Sequence, residues 1–236
     1  MIDKRIQSAA EAVADIRDGA TVMIGGFGEA GSPIELIHAL VDRGVRGLTV
    51  ISNNTGSGHV GLAALIEHGQ VAKVICSYPR SATSTVFPER YRNGEIALEL
   101  VPQGTLAERI RAGGAGVPAF YTPTAVGTLL AEGKETRSFG GRDFVMEYGL
   151  EADFALVRAD RADRYGNLVY SKTARNFGPL MCMASRVAIV QVREIVDAGA
   201  LDPEAIVTPG IFVQRVVEIP TPAQESILVR DGARYP

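Results

Sequence analysis

The sequence predicts an α/β protein in which helices pack onto a parallel sheet, and three observations carry that prediction. Short apolar runs such as VMI (22–24) and LTVIS (48–52) have the unbroken character of strands buried on both faces. Between them lie stretches of helical periodicity, with Ile34, Ile37, Leu40 and Val41 forming one apolar stripe. Glycines sit where helices must end, at Gly44 and Gly69. Alternation of strand and helix in this way builds a parallel, helix-covered sheet.

Taken in order, MIDKRIQSAAEAVADI reads as an amphipathic N-terminal helix. TVMI (21–24) is a strand, followed by a helix from about Pro33 to Arg43. Ser32 is expected as its N-cap, with Glu35 completing an S-x-x-E capping box. LTVIS leads through NNTGSGHVG to a helix over 62–68, and VAKVICS (71–77) and IALELV (96–101) are further strands. Thr105 and Glu108 form a second capping pattern, opening TLAERIRA. Residues 113–128 are too rich in glycine and proline for regular structure, and so long a loop is usually functional. ADFALVRA (152–159) and NLVYSK (167–172) are strands flanking a DRYG turn, and FGPLMCMA is a helix. VAIVQV (187–192) and FVQRVVEI (212–219) are the last strands. One domain over 1–221 is expected, then a polar, weakly ordered tail over 222–236.

Composition narrows the function classes. The chain has 236 residues, 46% of them hydrophobic, enough for one substantial core. A net charge of −3 with no basic run argues against nucleic acid or an anionic membrane as partner. No apolar run approaches the roughly 18 residues of a membrane span, and no cleavable signal is apparent, so a cytoplasmic protein is expected. Cys76 and Cys182 lie in apolar surroundings and read as buried free thiols. His38, His59 and His68 show no metal-ligand spacing.

The stretch with most chemical content is DGATVMIGGFGEAGSP (18–33). A strand, a glycine turn and a capped helix start would bring backbone N–H groups to one point, suited to a phosphate or a developing oxyanion. GFGEAG (26–31) also satisfies G-x-G-x-x-G, the dinucleotide pattern. That pattern requires an acidic residue about 20 positions on. The next strand ends instead in Asn53 and Asn54, with no Asp or Glu between Arg43 and Ile66. A nicotinamide- or flavin-dependent oxidoreductase is therefore disfavoured.

Asp18, Gly19, Val22, Met23, Ile24, Gly25, Gly26, Phe27, Gly31 and Pro33 together resemble the motif of the A subunits of family I coenzyme A transferases. The likeness continues through ELVPQGTLAERIRAGGAG (99–116), AEGKETRSFGGR (131–142), ADRYGNLVYSKTARNF (162–177) and TPGIFVQ (208–214). It implies the fold shared with ribose-5-phosphate isomerase, a Rossmann-like, open, mostly parallel sheet with helices on both faces. It also implies ping-pong transfer of coenzyme A from succinyl-CoA to a 3-oxoacid, with the thioester as substrate and no tightly bound cofactor. The nucleophilic glutamate of the family lies in a Ser-Glu-Asn-Gly run of a B subunit, and no such run occurs here. The resemblance thus implies half of an enzyme, completed by a B subunit in an α2β2 heterotetramer.

By the same resemblance Gln103 helps form the oxyanion hole, and Gly25, Gly26, Phe27, Gly28, Glu29, Ala30 and Gly31 form the coenzyme A loop. The plainer readings are a glutamine capping its local turn and glycines needed for packing. Asn53 and Asn54 are placed to bind a substrate carboxylate or merely to form a turn. Arg80 is either a reader of a second substrate carboxylate or a solvated surface arginine. The run CSYPRSATSTVFPERY (76–91) resembles the 3-oxoadipate enzymes, whereas RAGGAGVPAFYTPT (111–124) resembles the acetoacetate enzymes. The first is favoured. A ligand-sensing module is the remaining alternative from another class, and no DNA-binding element supports it.

Overall fold

The computed structural model describes residues 2–236. A two-residue strand, β1 (Arg5–Ile6), and one turn of helix, α1 (Ala9–Ala12), lead into four strand–helix units. These are β2 (Thr21–Ile24) with α2 (Ile34–Arg43), and β3 (Leu48–Ser52) with α3 (Gly61–Glu67). Then come β4 (Val71–Cys76) with α4 (Val86–Arg92), and β5 (Ala97–Leu100) with α5 (Gln103–Gly114). A small antiparallel sheet follows, made of β6 (Ala119–Thr122), β7 (Thr136–Phe139) and β8 (Arg142–Tyr148). The chain returns through β9 (Ala152–Arg158), β10 (Arg161–Asp163), β11 (Leu168–Val169) and α6 (Gly178–Met183). It closes with β12 (Ser185–Val192), β13 (Glu194–Val196), β14 (Arg215–Glu218) and α7 (Glu225–Arg230).

Eight strands join in the order β1-β14-β12-β9-β2-β3-β4-β5, every pairing parallel. Such a sheet needs cover on both faces. Side chains along β2 alternate accordingly. Val22 and Ile24 enter a core with Leu36, Leu40 and Leu65, while Met23 enters the opposite core with Leu106 and Met181. The order reverses between β2 and β9, which opens a crevice at the carboxyl ends of those strands.

Several local expectations yield to tertiary partners. The N-terminal segment keeps only one helical turn, because Arg5 and Ile6 instead extend the sheet along the edge of β14. The glycine- and proline-rich stretch contains β6, which takes its conformation from pairing with β8. Neither capping box forms. The Leu36 N–H goes to the buried Gln191 at 3.2 Å, and Gln191 in turn donates to Glu35 at 2.5 Å. Helix α5 begins at Gln103, so Thr105 lies inside it and Glu108 pairs with Arg111 at 2.7 Å. The polar tail is not loose: it forms α7, and beyond it Tyr235 stacks on His38 and bonds to Asp42.

Helix α5 is held by an ion cluster. The Arg109 guanidinium, nearly buried, reaches Glu99 on β5 at 2.8 Å, Glu147 on β8 at 3.7 Å and the Tyr148 carbonyl at 2.9 Å. Lys134 and Lys73 complete the neutralisation of Glu147 and Glu99. Truncating Arg109 leaves the buried Glu147 short of one partner. Arg109→Ala is therefore expected to lower unfolding free energy by about 3 kcal/mol, the low end for breaking a buried ion pair because both lysines remain. Urea denaturation of the two proteins measures this, and a loss below about 1 kcal/mol would mean the cluster is effectively solvated.

Candidate functional site

Four consecutive strands deliver four segments to one edge of the sheet. The glycine loop follows β2, Asn53 follows β3, Tyr78 follows β4, and Pro102 with Gln103 follows β5. The loop is clamped rather than free. Gly25 donates to the Leu156 carbonyl on β9 at 2.9 Å, and Gly26 donates to Asn176 Oδ1 at 3.2 Å. The Asn176 amide returns to the Ala30 carbonyl at 2.8 Å, and Phe27 donates to the same carbonyl at 3.0 Å. Gly31 has φ +81°, and a Cβ there would lie 2.5 Å from the Ala174 carbonyl oxygen, so only glycine fits.

This clamping corrects the expectation of a ready anion site at the helix start. The N–H groups of Gly25, Gly26 and Phe27 are satisfied internally, and Gln191, 1% exposed, occupies the first turn of α2. What the loop offers the crevice is the ring of Phe27, 51% exposed, together with Gly28 and Glu29.

Gln103 stands in a defined orientation. Its Nε2 donates to Asn53 Oδ1 at 2.8 Å, and Ser77 Oγ donates to the same oxygen at 2.7 Å. Asn53 is 4% exposed, so its side chain acts on the ligand through Gln103. One amide hydrogen of Gln103 is anchored and the other is left for a ligand. Asn54 gives its Oδ1 to the Gly56 N–H at 2.8 Å in a tight Asx turn.

These groups border a cavity of about 690 Å³. Phe27, Glu29, Asn53, Asn54, Tyr78 and Gln103 all line it, and α7 closes a further wall through Glu225, Ser226, Val229 and Arg230. Nothing in the sequence marked α7 as part of the site except its single apolar turn, Ile227 to Val229. Arg80 is not brought there. Thr55 Oγ1 fixes the Pro79 carbonyl at 2.7 Å, the Arg80 side chain points to a separate groove beside Phe87 and Tyr91, and Ser81 and Thr83 face the cavity instead.

Glu225 is 8% exposed and accepts the Ser57 N–H at 3.1 Å. Burial pushes its carboxyl up to about 7, with Glu29 adding to the shift and the Ser57 bond opposing it. Elsewhere the polar groups are structural. His38 Nε2 accepts the Gly61 N–H at 2.9 Å, and His59 pairs with Glu67 at 2.9 Å outside the cavity. Cys76 and Cys182 are buried and free, burial pushing both thiols up to about 12. Among the described residues no cluster of His, Cys, Asp or Glu suits a metal ion, and no helix is long and apolar enough to cross a membrane.

The family profile described as "Coenzyme A transferase" matches residues 6–219. The A chain of the 3-oxoadipate CoA-transferase of Pseudomonas putida is 59% identical, the alignment covering 96% of this chain and 98% of that protein. The corresponding chain of the probable succinyl-CoA:3-ketoacid coenzyme A transferase of Bacillus subtilis is 52% identical, covering 91% and 89%. Among solved structures, an acyl-CoA transferase of Escherichia coli O157:H7 in a thioester complex with CoA superposes with a TM-score of 0.85 at 23% identity. That alignment covers 94% of this chain, which spans about half (48%) of the length of that one. Glutaconate coenzyme A-transferase from Acidaminococcus fermentans superposes with a TM-score of 0.80 at 20% identity, covering 92% of this chain and 76% of that one. Both show the same fold.

Glu225 has a consequence for stability. In the unfolded chain it ionises near its ordinary value of 4.5, but in the fold only near 7. Stability from packing the neutral acid is complete below the lower value and lost as pH rises through the higher one. Glu225→Gln, neutral at all pH, is expected to flatten that decline in urea titrations run between about pH 5 and pH 8. An identical decline in both proteins would show that the carboxyl is solvated.

Proposed function

This chain belongs to the coenzyme A transferase family, and from that premise we propose that it is the A subunit of a two-subunit 3-oxoacid coenzyme A transferase. It moves coenzyme A from succinyl-CoA to 3-oxoadipate in the cytoplasm, with the nucleophilic glutamate supplied by a B subunit in an α2β2 assembly. The observation that carries this reading is the anchored Gln103 amide on a cavity that contains no exposed carboxylate built as a nucleophile. The carboxyls bordering it are Glu29, on the glycine loop, and Glu225, whose burial favours the neutral, non-nucleophilic acid.

Each step of thioester exchange passes through a tetrahedral centre with a negatively charged oxygen. A neutral side-chain amide stabilises that oxygen without holding the carboxylate substrates too tightly. Asn53 and Ser77 fix the Gln103 amide beforehand, so no reorganisation is needed as charge develops. Phe27, Gly28 and Glu29 form the wall along which the pantetheine arm of coenzyme A runs, and the hydrogen bonds of Gly25, Gly26, Ala30 and Gly31 hold that wall in shape. Coenzyme A enters as the substrate thioester, with no tightly bound cofactor required.

The acceptor is assigned as 3-oxoadipate over acetoacetate because the Pseudomonas putida relative named for that acid is the more similar of the two compared, 59% against 52% identical. Both relatives are named as one of the two kinds of chain in their enzymes, which fits a chain that needs a partner.

Two measurements test the reading. The purified chain alone is expected to show no turnover of succinyl-CoA with any 3-oxoacid; turnover would assign the nucleophile to Glu29 or Glu225. In the complex with its B subunit, Gln103→Ala is expected to lower kcat by about 10²-fold or more with assembly intact. A kcat within about twofold of the parent would return Gln103 to a purely local cap.

A further inference from the structure

The cavity carries a cation that the sequence did not single out. Among the described residues that line it, Arg230 bears the only positive charge, and Arg80 lies in a different groove. Arg230 sits at the end of α7, in a segment beyond residues 6–219, the part matched by the family profile. Its Nε contacts the neighbouring Asp231 at 3.2 Å, and its two terminal nitrogens have no partner among the described residues.

The backbone beneath Arg230 is firmly seated. Val229 packs against Gly58 so closely that a Cβ on the glycine would lie 2.9 Å from Val229 Cγ2. Glu225 is tied to the Ser57 N–H, and beyond the helix the Tyr235 N–H reaches the His59 carbonyl at 3.0 Å. Arg234 reaches Glu67 at 3.4 Å. Helix α7 is thereby locked over the loop of residues 56–59, and it presents Arg230 to the cavity from a wall distinct from the one that carries Gln103 on α5.

We infer that Arg230 binds the distal carboxylate of a dicarboxylic acyl group, which makes α7 the element that selects the acid. This rests on the transferase reading above. A neutral amide on one wall suits the reacting carbonyl, and a guanidinium fork on another suits a carboxylate at the far end of the same molecule. The succinyl donor and the 3-oxoadipate acceptor both carry such a group, and in a ping-pong sequence they occupy the site in turn. Acetoacetate lacks it. The carboxylates Glu29 and Glu225 border the same cavity, so a ligand carboxylate is favoured beside Arg230 and opposed elsewhere.

The test compares 3-oxoadipate with acetoacetate as acceptors for the complex formed with the B subunit. Arg230→Ala is expected to raise KM for 3-oxoadipate about tenfold more than KM for acetoacetate, with KM for succinyl-CoA rising alongside. Arg230→Lys, which keeps the charge without the fork, is expected to recover part of the difference. The side chain is 72% exposed, so both variants should fold, which circular dichroism checks. Equal changes in KM for the two acceptors, in either variant, would overturn the assignment of Arg230 and leave the transferase reading standing. A parent complex that transfers coenzyme A to neither acid would overturn both.

Discussion

The reversal of strand order between β2 and β9 is the constraint on which the rest of this molecule depends. The chain starts its sheet near the middle, builds outward to β5, and then returns to the other side of β2. Crossovers leave in opposite directions on the two sides of that junction, so the carboxyl ends cannot be closed over by one continuous layer. The bond from Gly25 to Leu156 joins the two halves at that point. Because every pairing is parallel, all four outgoing strands end on the same edge, and each contributes its next residues to one crevice.

Rigidity in the site comes from paired neutral groups. Asn176 holds the glycine loop by accepting from Gly26 and donating to Ala30, and Asn53 holds Gln103. Amide-to-amide bonds avoid the desolvation cost that buried charges would bring to a site meant for anions. Charge is kept one layer back, in the cluster of Arg109, Glu99 and Glu147 that fixes α5 against β5 and β8. Gln103 therefore sits at the start of a helix whose far side is pinned, while its own end stays neutral.

Much of this was legible in the chain, and the failures share a cause. The apolar runs, the Gly44 stop and the glycine motif are governed by neighbours a few residues away, and those readings agree with the fold. Gln103 was visible because it directly follows a strand end and Pro102. The capping boxes at Ser32 and Thr105 were also local readings, yet Gln191, more than 150 residues from α2 in sequence, met the Leu36 N–H instead. The segment around Ala119 looked irregular because a strand there depends on β8 for its hydrogen bonds.

By itself, then, the sequence determined the alternating elements, the two-faced burial of the strands, the glycine turn and the oxyanion candidate, because each is written in residues adjacent along the chain. Only the tertiary structure decided which cation borders the cavity, and the reason is geometric. Arg80 is close to the site in sequence, but the Thr55 to Pro79 bond turns its loop so that Ser81 and Thr83 face inward. Arg230 is remote in sequence, but the contacts of Val229, Glu225 and Tyr235 fold α7 onto the loop after β3. No local pattern encodes contacts between residues so far apart in the chain, so the wall made by α7 became visible only once the chain was folded.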